Sequence, residues 1–264
     1  MPVPDHATRF WRALDANFGR VQPTWWGAVV TDDRYPAIWD ANYARIDDTG
    51  EDLRAADIEG ELLPALAAVG TDVMHVVSFD PDTCGPLLAE LSTRGHHLTF
   101  DLVMDLDDPS AGAATGAAVE ELPPGDELWD RVAASMVLFG VETRTAVEQL
   151  RDLERDVMAP AGKRWFGVRD AGGTLVSLGA LLLLDGVGYL DNVATFPEAR
   201  GQGLASAITT RIVREADVAG AGHVWLLADP DAATTVAMYE RLGFRDVGRL
   251  AATRGPVPAS RRPD

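Results

Sequence analysis

The spacing of apolar residues changes several times along the chain, and each change marks an element. In the C-terminal half, "GDELWDRVAASMVLFG" and "VETRTAVEQLRDLERDVM" repeat apolar positions at three- and four-residue steps, which predicts two helices after a short strand, "AAVEEL". "KRWFGVRD", "TLVSLGALLLL" and "VGYLDNVATF" read as strands joined through "AGG" and "DG", turns whose glycines supply positive φ, so an antiparallel meander is expected. The helix "GLASAITTRIVREADVAG" carries Leu204, Ile208, Ile212 and Val213 on one side and stops at Gly220. "HVWLLA" is then a strand, "DAATTVAMYERLG" a helix closed by Gly243, and "FRDVGRLAAT" a final strand.

The first half repeats part of this order. Residues 75–106 show the strand, Asp-Pro-Asp helix start, amphipathic helix, glycine stop and strand found again in residues 223–253. Asp80-Pro81-Asp82 corresponds to Asp229-Pro230-Asp231 and Gly95 to Gly243, and a helical "LRAADIEGELLPALAAVG" precedes the first copy as a helix precedes the second. Duplication accounts for this agreement; a chance match of two ordinary strand-helix-strand units is the alternative. The Gly-, Ala-, Pro- and Ser-rich "DDPSAGAATGAAVEEL" puts a domain boundary near residues 108–116. "TRGPVPASRRPD" has three prolines and no apolar period, and reads as a loose tail. The expected organisation is a domain over 1–110, a second over 116–253, and a tail over 254–264.

With 264 residues, 47% apolar and 24% charged, the chain can bury a core in one large or two small domains. Its formal charge of −18 opposes binding to nucleic acid or an anionic membrane and favours a cationic or amine substrate, although acidity also serves solubility alone. Cys84 is the only cysteine, so no intrachain disulfide or thiolate cluster forms within one chain, and a reducing compartment is the default. The five histidines lack metal-ligand spacing, so no metal is expected. No basic-then-apolar leader opens the sequence, and the longest apolar run is broken by Asp185, so a cytoplasmic protein is expected.

The stretch "NVATFPEARGQGLASAI" departs from ordinary helix chemistry. A strand delivers Thr195 and Phe196, Pro197 stops the ladder, and the next helix opens around Gly201 and Gly203. Helix starts carry unpaired N–H groups and partial positive charge, so glycines there let a diphosphate approach closely, with Arg200 adding donors and Ala205 keeping the first turn low. A plain loop or a close helix–strand contact calls for the same glycines, and no G-x-G-x-x-G fingerprint is present. The whole ordered set is more specific: strand, Pro197, Arg200-Gly201-Gln202-Gly203-Leu204-Ala205, helix, strand, then a helix bearing "MYERLGF".

This set resembles the GNAT superfamily of acyl-CoA-dependent N-acetyltransferases over about residues 117–252. Arg200, Gly203 and Ala205 meet the family's phosphate motif, and Tyr239, Glu240, Leu242, Gly243 and Phe244 its later signature. The resemblance implies an α/β (α+β) fold with a mixed, mostly antiparallel sheet flanked by helices, in two tandem GNAT-like domains. The first domain has no Arg-Gly-x-Gly-x-Ala run and is expected not to bind coenzyme, but to complete a substrate cleft or serve as scaffold; Trp25, Trp26 and Trp39 line that cleft or pack in a core. For the second, the resemblance implies acetyl-CoA as cosubstrate, held by Val193, Ala194 and Thr195 along the strand and by Arg200, Gly201, Gln202, Gly203, Leu204 and Ala205 at the loop. It also implies Tyr239 as the acid that protonates the coenzyme sulfur. Asp191 and Glu142 are candidate bases, with water as the alternative. Ala232 and Thr235 stand where the family often has asparagine and alanine, and the hydroxyl of Thr234 or Thr235 is a substitute coenzyme contact. The expected activity is acetyl transfer to the primary amine of a small cationic acceptor; the alternative is a non-catalytic acyl-CoA-binding sensor.

Overall fold

The computed structural model describes residues 3–48, 52–106 and 118–257. The expected boundary at 108–116 lies outside them, as do residues 258–264 of the expected tail. The chain divides into two compact units, Met1–Val103 with Val247–Asp264, and Met104–Asp246.

The first unit opens with helix α1 (Asp5–Asp15), then strands β1 (Arg20–Pro23), β2 (Gly27–Thr31) and β3 (Tyr43–Ile46). Helix α2 (Ala55–Val69), strand β4 (Val73–Ser78), helix α3 (Gly85–Thr93) and strand β5 (His97–Leu106) follow. β1 to β3 pair antiparallel in sequence, and β3 lies parallel to β4 with α2 as the crossover. Ile58, Leu62 and Leu66, spaced four apart on α2, are fully buried with Trp26, Met74 and Leu91. Trp26 is therefore core, whereas Trp25 is 63% exposed and Trp39 lies under the Arg254 guanidinium, 4.7 Å from its ring.

The second unit carries β6 (Glu120–Leu122), α4 (Asp126–Leu138), α5 (Arg144–Leu153) running into a π turn at Glu154–Met158, then β7 (Arg164–Arg169), β8 (Leu175–Leu184) and β9 (Val187–Thr195). Helix α6 (Leu204–Val218), β10 (His223–Ala228) and α7 (Ala233–Arg241) follow, and the last strand, β11 (Arg245–Pro256), belongs from Val247 onward to the first unit rather than to the expected second domain. β6 to β9 pair antiparallel in order, and β9 lies parallel to β10 across the α6 crossover. Side-chain alternation splits the sheet into two faces. Leu178, Ala180, Ala194 and Phe196 join Trp129 and Val132 of α4 in one cluster, while a Cβ on intervening Gly179 would meet Ile208 of α6 on the other face.

Along the sequence the two halves run through the same elements: an antiparallel run, a parallel pair bridged by a helix, then a helix and a strand, β5 extending past Val103 and β11 past Asp246, where the units divide. The helices after Asp-Pro-Asp start later than expected, at Gly85 and Ala233. The aspartates serve as turn formers instead, Asp80 Oδ1 accepting from the Thr83 N–H at 3.2 Å and Asp229 Oδ1 from the Asp231 N–H at 2.8 Å. Residues 254–256, expected in the loose tail, are strand, because β11 pairs antiparallel with β4 as far as Pro256. No described helix is long and apolar enough to cross a membrane.

Candidate active site

β9 and β10 are paired only over Val187–Tyr189 and His223–Trp225. Beyond Tyr189, β9 has a register with β8 but none with β10, so one of its edges is open at the carboxyl end of a parallel pair, where open α/β sheets receive ligands. Leu178 pairs with Ala194 and Ala180 with Asp191, which leaves Asn192 and Val193 opposite Gly179 alone: a β-bulge, with Asn192 at φ 52°. A Cβ on Gly179 would lie 2.8 Å from Ile208 Cγ2 and 3.1 Å from Val193 Cγ2, so the close approach of α6 and the bulge needs glycine. The Phe196 N–H donates to the Val176 carbonyl at 3.0 Å, and alternation then commits the main chain of Ala194 to β8 while turning that of Val193 and Thr195 to the open edge.

Pro197 starts a short 3₁₀ turn, Pro197–Ala199, that leads off the strand end. Gly201 and Gly203 both take left-handed conformations, at φ 76° and 74°, and Gly203 is the N-cap of α6. A Cβ on either would meet no protein atom within 4 Å. The glycines therefore serve the turn itself and leave the space above it clear. Among the described residues, the N–H groups of Gly201 to Ser206 have no acceptor, and no side chain caps the helix. Arg200 donates through Nε to the Thr195 carbonyl at 3.1 Å, which fixes it beside this array with both Nη groups unpartnered among the described residues. Gln202 is exposed and Leu204 and Ala205 half-buried, so the loop is a concentration of donors and positive potential.

The counterpart in the first unit is closed. At the start of α2 the Arg54 N–H donates to Asp57 Oδ2 at 2.9 Å and the Ala55 N–H to Glu90 Oε2 at 3.1 Å. Carboxylates already occupy that helix end and repel an anion. The Ala55 N–H in turn holds the Glu90 carboxyl below its ordinary value, with Arg94 assisting.

Tyr239, near the end of α7, is buried against Phe244, their ring centroids 5.7 Å apart in an edge arrangement. Its hydroxyl makes no hydrogen bond among the described residues. Burial, and then the negative charge of Asp191, push the phenol well above its ordinary value, so it holds its proton throughout the neutral range. Thr234 is exposed in the first turn of α7, with Ala232 as N-cap and no side-chain capping bond.

Asp191 lies in the bulge strand, and its oxygens are engaged. Oδ2 accepts from Lys163 Nζ at 2.6 Å and Oδ1 from the Asn192 N–H at 2.8 Å. Lys163 Nζ also donates to Glu154 Oε1 at 2.7 Å, and Asn192 Nδ2 reaches the same oxygen at 3.3 Å. Lys163 and Glu154 are buried, with side chains 2% and 8% exposed, whereas Asp191 is 28% exposed. Burial alone would lower the lysine, but Asp191 and Glu154 overturn this and hold it above its ordinary value; Glu154 is pushed up by burial. The sequence reading missed Lys163 and Glu154. Glu142 is exposed on the α4–α5 connection, where it lines a cavity of about 660 Å³ with Val137, Val141 and Val147. The structure does not bring it into contact with Asp191 or Tyr239.

A mostly antiparallel sheet whose parallel pair parts beside a glycine-led helix start is the frame in which these residues sit. Residues 129–244 match the model of the Acetyltransferase (GNAT) family. Among solved structures, a GCN5-related N-acetyltransferase from Kribbella flavida aligns over 98% of this chain and 97% of its own, with a TM-score of 0.71 and 18% identity. A functionally unknown conserved protein from Staphylococcus epidermidis aligns over 86% and 89%, with a TM-score of 0.65 and 12% identity. A tandem GNAT protein from the clavulanic acid biosynthesis pathway aligns over 83% and 75%, with a TM-score of 0.55 and 17% identity. At such identities the likeness is one of fold, and the tandem arrangement expected from the internal repeat has a solved counterpart. No curated protein matches the sequence.

Proposed function

We propose that the second unit transfers an acetyl group from acetyl-CoA to the primary amine of a small, cationic acceptor, in the cytoplasm. The observation that carries this reading is the row of unpartnered N–H groups from Gly201 to Ser206 beside the open edge of β9. These groups and Arg200 bind the diphosphate, the Val193 main chain and the Thr195 N–H on the open edge receive the pantetheine arm while Ala194, its main chain committed to β8, does not, and the Thr234 hydroxyl adds a contact.

The neutral amine nitrogen attacks the thioester carbonyl, the C–N bond forms and the C–S bond breaks. Tyr239 gives its phenolic proton to the departing sulfur, and the amine's proton passes to the exposed side of the Asp191 carboxylate or to water. The net charge of −18 supports a cationic acceptor and opposes nucleic acid or an anionic membrane as partner.

The test is release of free coenzyme A thiol from acetyl-CoA in the presence of polyamines, amino acids and other primary amines. Tyr239→Phe is expected to lower kcat about 100-fold, the loss of one positioned proton donor, and to leave the dissociation constant of acetyl-CoA within about 2-fold. Acetyl-CoA binding without turnover of any amine would favour the non-catalytic sensor, and no binding at all would end both readings.

A further inference from the structure

The β9 bulge is held from below by charged groups that the proposed chemistry does not use. Glu154 and Lys163 flank the end of α5 and the entry to β7, and the π turn at Glu154–Met158 starts at the glutamate. Lys163 Nζ grips Asp191 on one side and Glu154 on the other, at 2.6 and 2.7 Å, while Glu154 Oε1 also receives Asn192 Nδ2 at 3.3 Å. Asp191, next to the bulge, and Asn192, within it, are thus tied to one buried pair. Asn192 sits in the left-handed region at φ 52°, which asparagine tolerates, and the tie fixes where its carboxamide points. Glu154 Oε2 is buried without a partner, so the cluster is not built for maximal hydrogen bonding.

Resting on the acyl-transfer reading, we propose that Lys163 and Glu154 are positioning residues: they lock the bulge so that the Val193 main chain meets the thioester and the Asp191 carboxylate meets the acceptor amine. Neither touches substrate. Among the described residues no hydrogen bond or ion pair joins Lys163 or Glu154 to residues 200–206. The clamp therefore governs the chemical step and leaves coenzyme binding alone.

Removing one partner strands a buried charge and threatens the fold, so the decisive variant is the double substitution Glu154→Leu with Lys163→Met, since an apolar replacement of a buried ion pair is often neutral or stabilising. It is expected to unfold no earlier than wild type, to bind acetyl-CoA within about 3-fold, and to lose at least about 10-fold in kcat. The backbone amide resonances of Asn192 and Val193 are expected to shift or broaden in the same variant without ligand. Glu154→Gln keeps an oxygen that accepts from Lys163 and Asn192, and is expected to retain kcat within about 3-fold. A double variant with wild-type kcat, or with unmoved Asn192 and Val193 resonances, overturns the clamp; so does one that loses coenzyme affinity in step with kcat. If the wild-type chain fails to bind acetyl-CoA, the acyl-transfer reading falls instead, and the two resonances still decide whether the pair holds the bulge.

Discussion

Gly203 separates what the loop's backbone needs from what a ligand needs. In Gly203→Ala the new residue must sit at φ 74°, ψ 13°, a conformation that costs an L-residue with a Cβ about 1–2 kcal/mol. No steric term adds to this, because the added Cβ meets no protein atom within 4 Å. A loss of that size lowers the unfolding temperature by about 3–6 °C. Asparagine tolerates the left-handed region, so Gly203→Asn is expected to lose less than about 0.5 kcal/mol. Both variants nevertheless place a Cβ beside the N–H row of α6, where a phosphate oxygen would sit. Weakening one charge-assisted hydrogen bond costs about 1.5 kcal/mol or more, so both are expected to lose about 10-fold in acetyl-CoA affinity. Thermal unfolding and calorimetric titration of the two variants side by side give the answer. If Gly203→Asn binds acetyl-CoA as tightly as wild type, the phosphates do not lie on these amides and the glycines serve the turn alone.

Two further outcomes follow from titrating groups. Tyr239 is held above its ordinary value in the folded chain, so its contribution to stability is complete below the unfolded tyrosine value of about 10 and is lost as pH rises beyond it. Tyr239→Phe is therefore expected to flatten the loss of stability measured by denaturant titration above pH 10, and an unchanged alkaline slope would contradict the burial of its hydroxyl. Glu90 is shifted the other way by the Ala55 N–H, so its contribution is present above about pH 4.3 and disappears on acidification. With the side chain partly in solvent, Glu90→Gln is expected to cost about 0.5 kcal/mol at pH 7 and progressively less on acidification through the lowered folded-state value, and a cost that does not fall with pH would refute the charge-based cap.

The order of elements was legible because each carries its own apolar period, and the loop because two glycines at a helix start contradict helix propensity. The β9 bulge was not. Asn192 reads as an unremarkable polar residue in a strand, and only the pairing with β8 reveals that it and Val193 share Gly179 as a partner. The helix starts after Asp-Pro-Asp were displaced because aspartate stabilises a turn by the same side-chain bond that it offers a helix. Thr235 and Ala232 showed departures from the motif, but nothing in sequence could say that α7 begins without a side-chain cap.

Glu154 did leave a signal. Val147, Leu150 and Glu154 fall at three- and four-residue steps, so the glutamate continues the apolar stripe of α5 into the protein, where an acid has no place without a partner. Its partners lie nine and thirty-eight residues away, at Lys163 and Asn192, and no local rule links them. Burying a lysine between two carboxylates also loses several kcal/mol of hydration before any attraction is gained, and apolar side chains would join the π turn to β7 at lower cost. What they could not do is hold the Asp191 carboxylate and the Asn192 carboxamide, on consecutive residues at the edge of the bulge, in one fixed orientation. That difference is why a variant can gain stability here and still lose the chemical step.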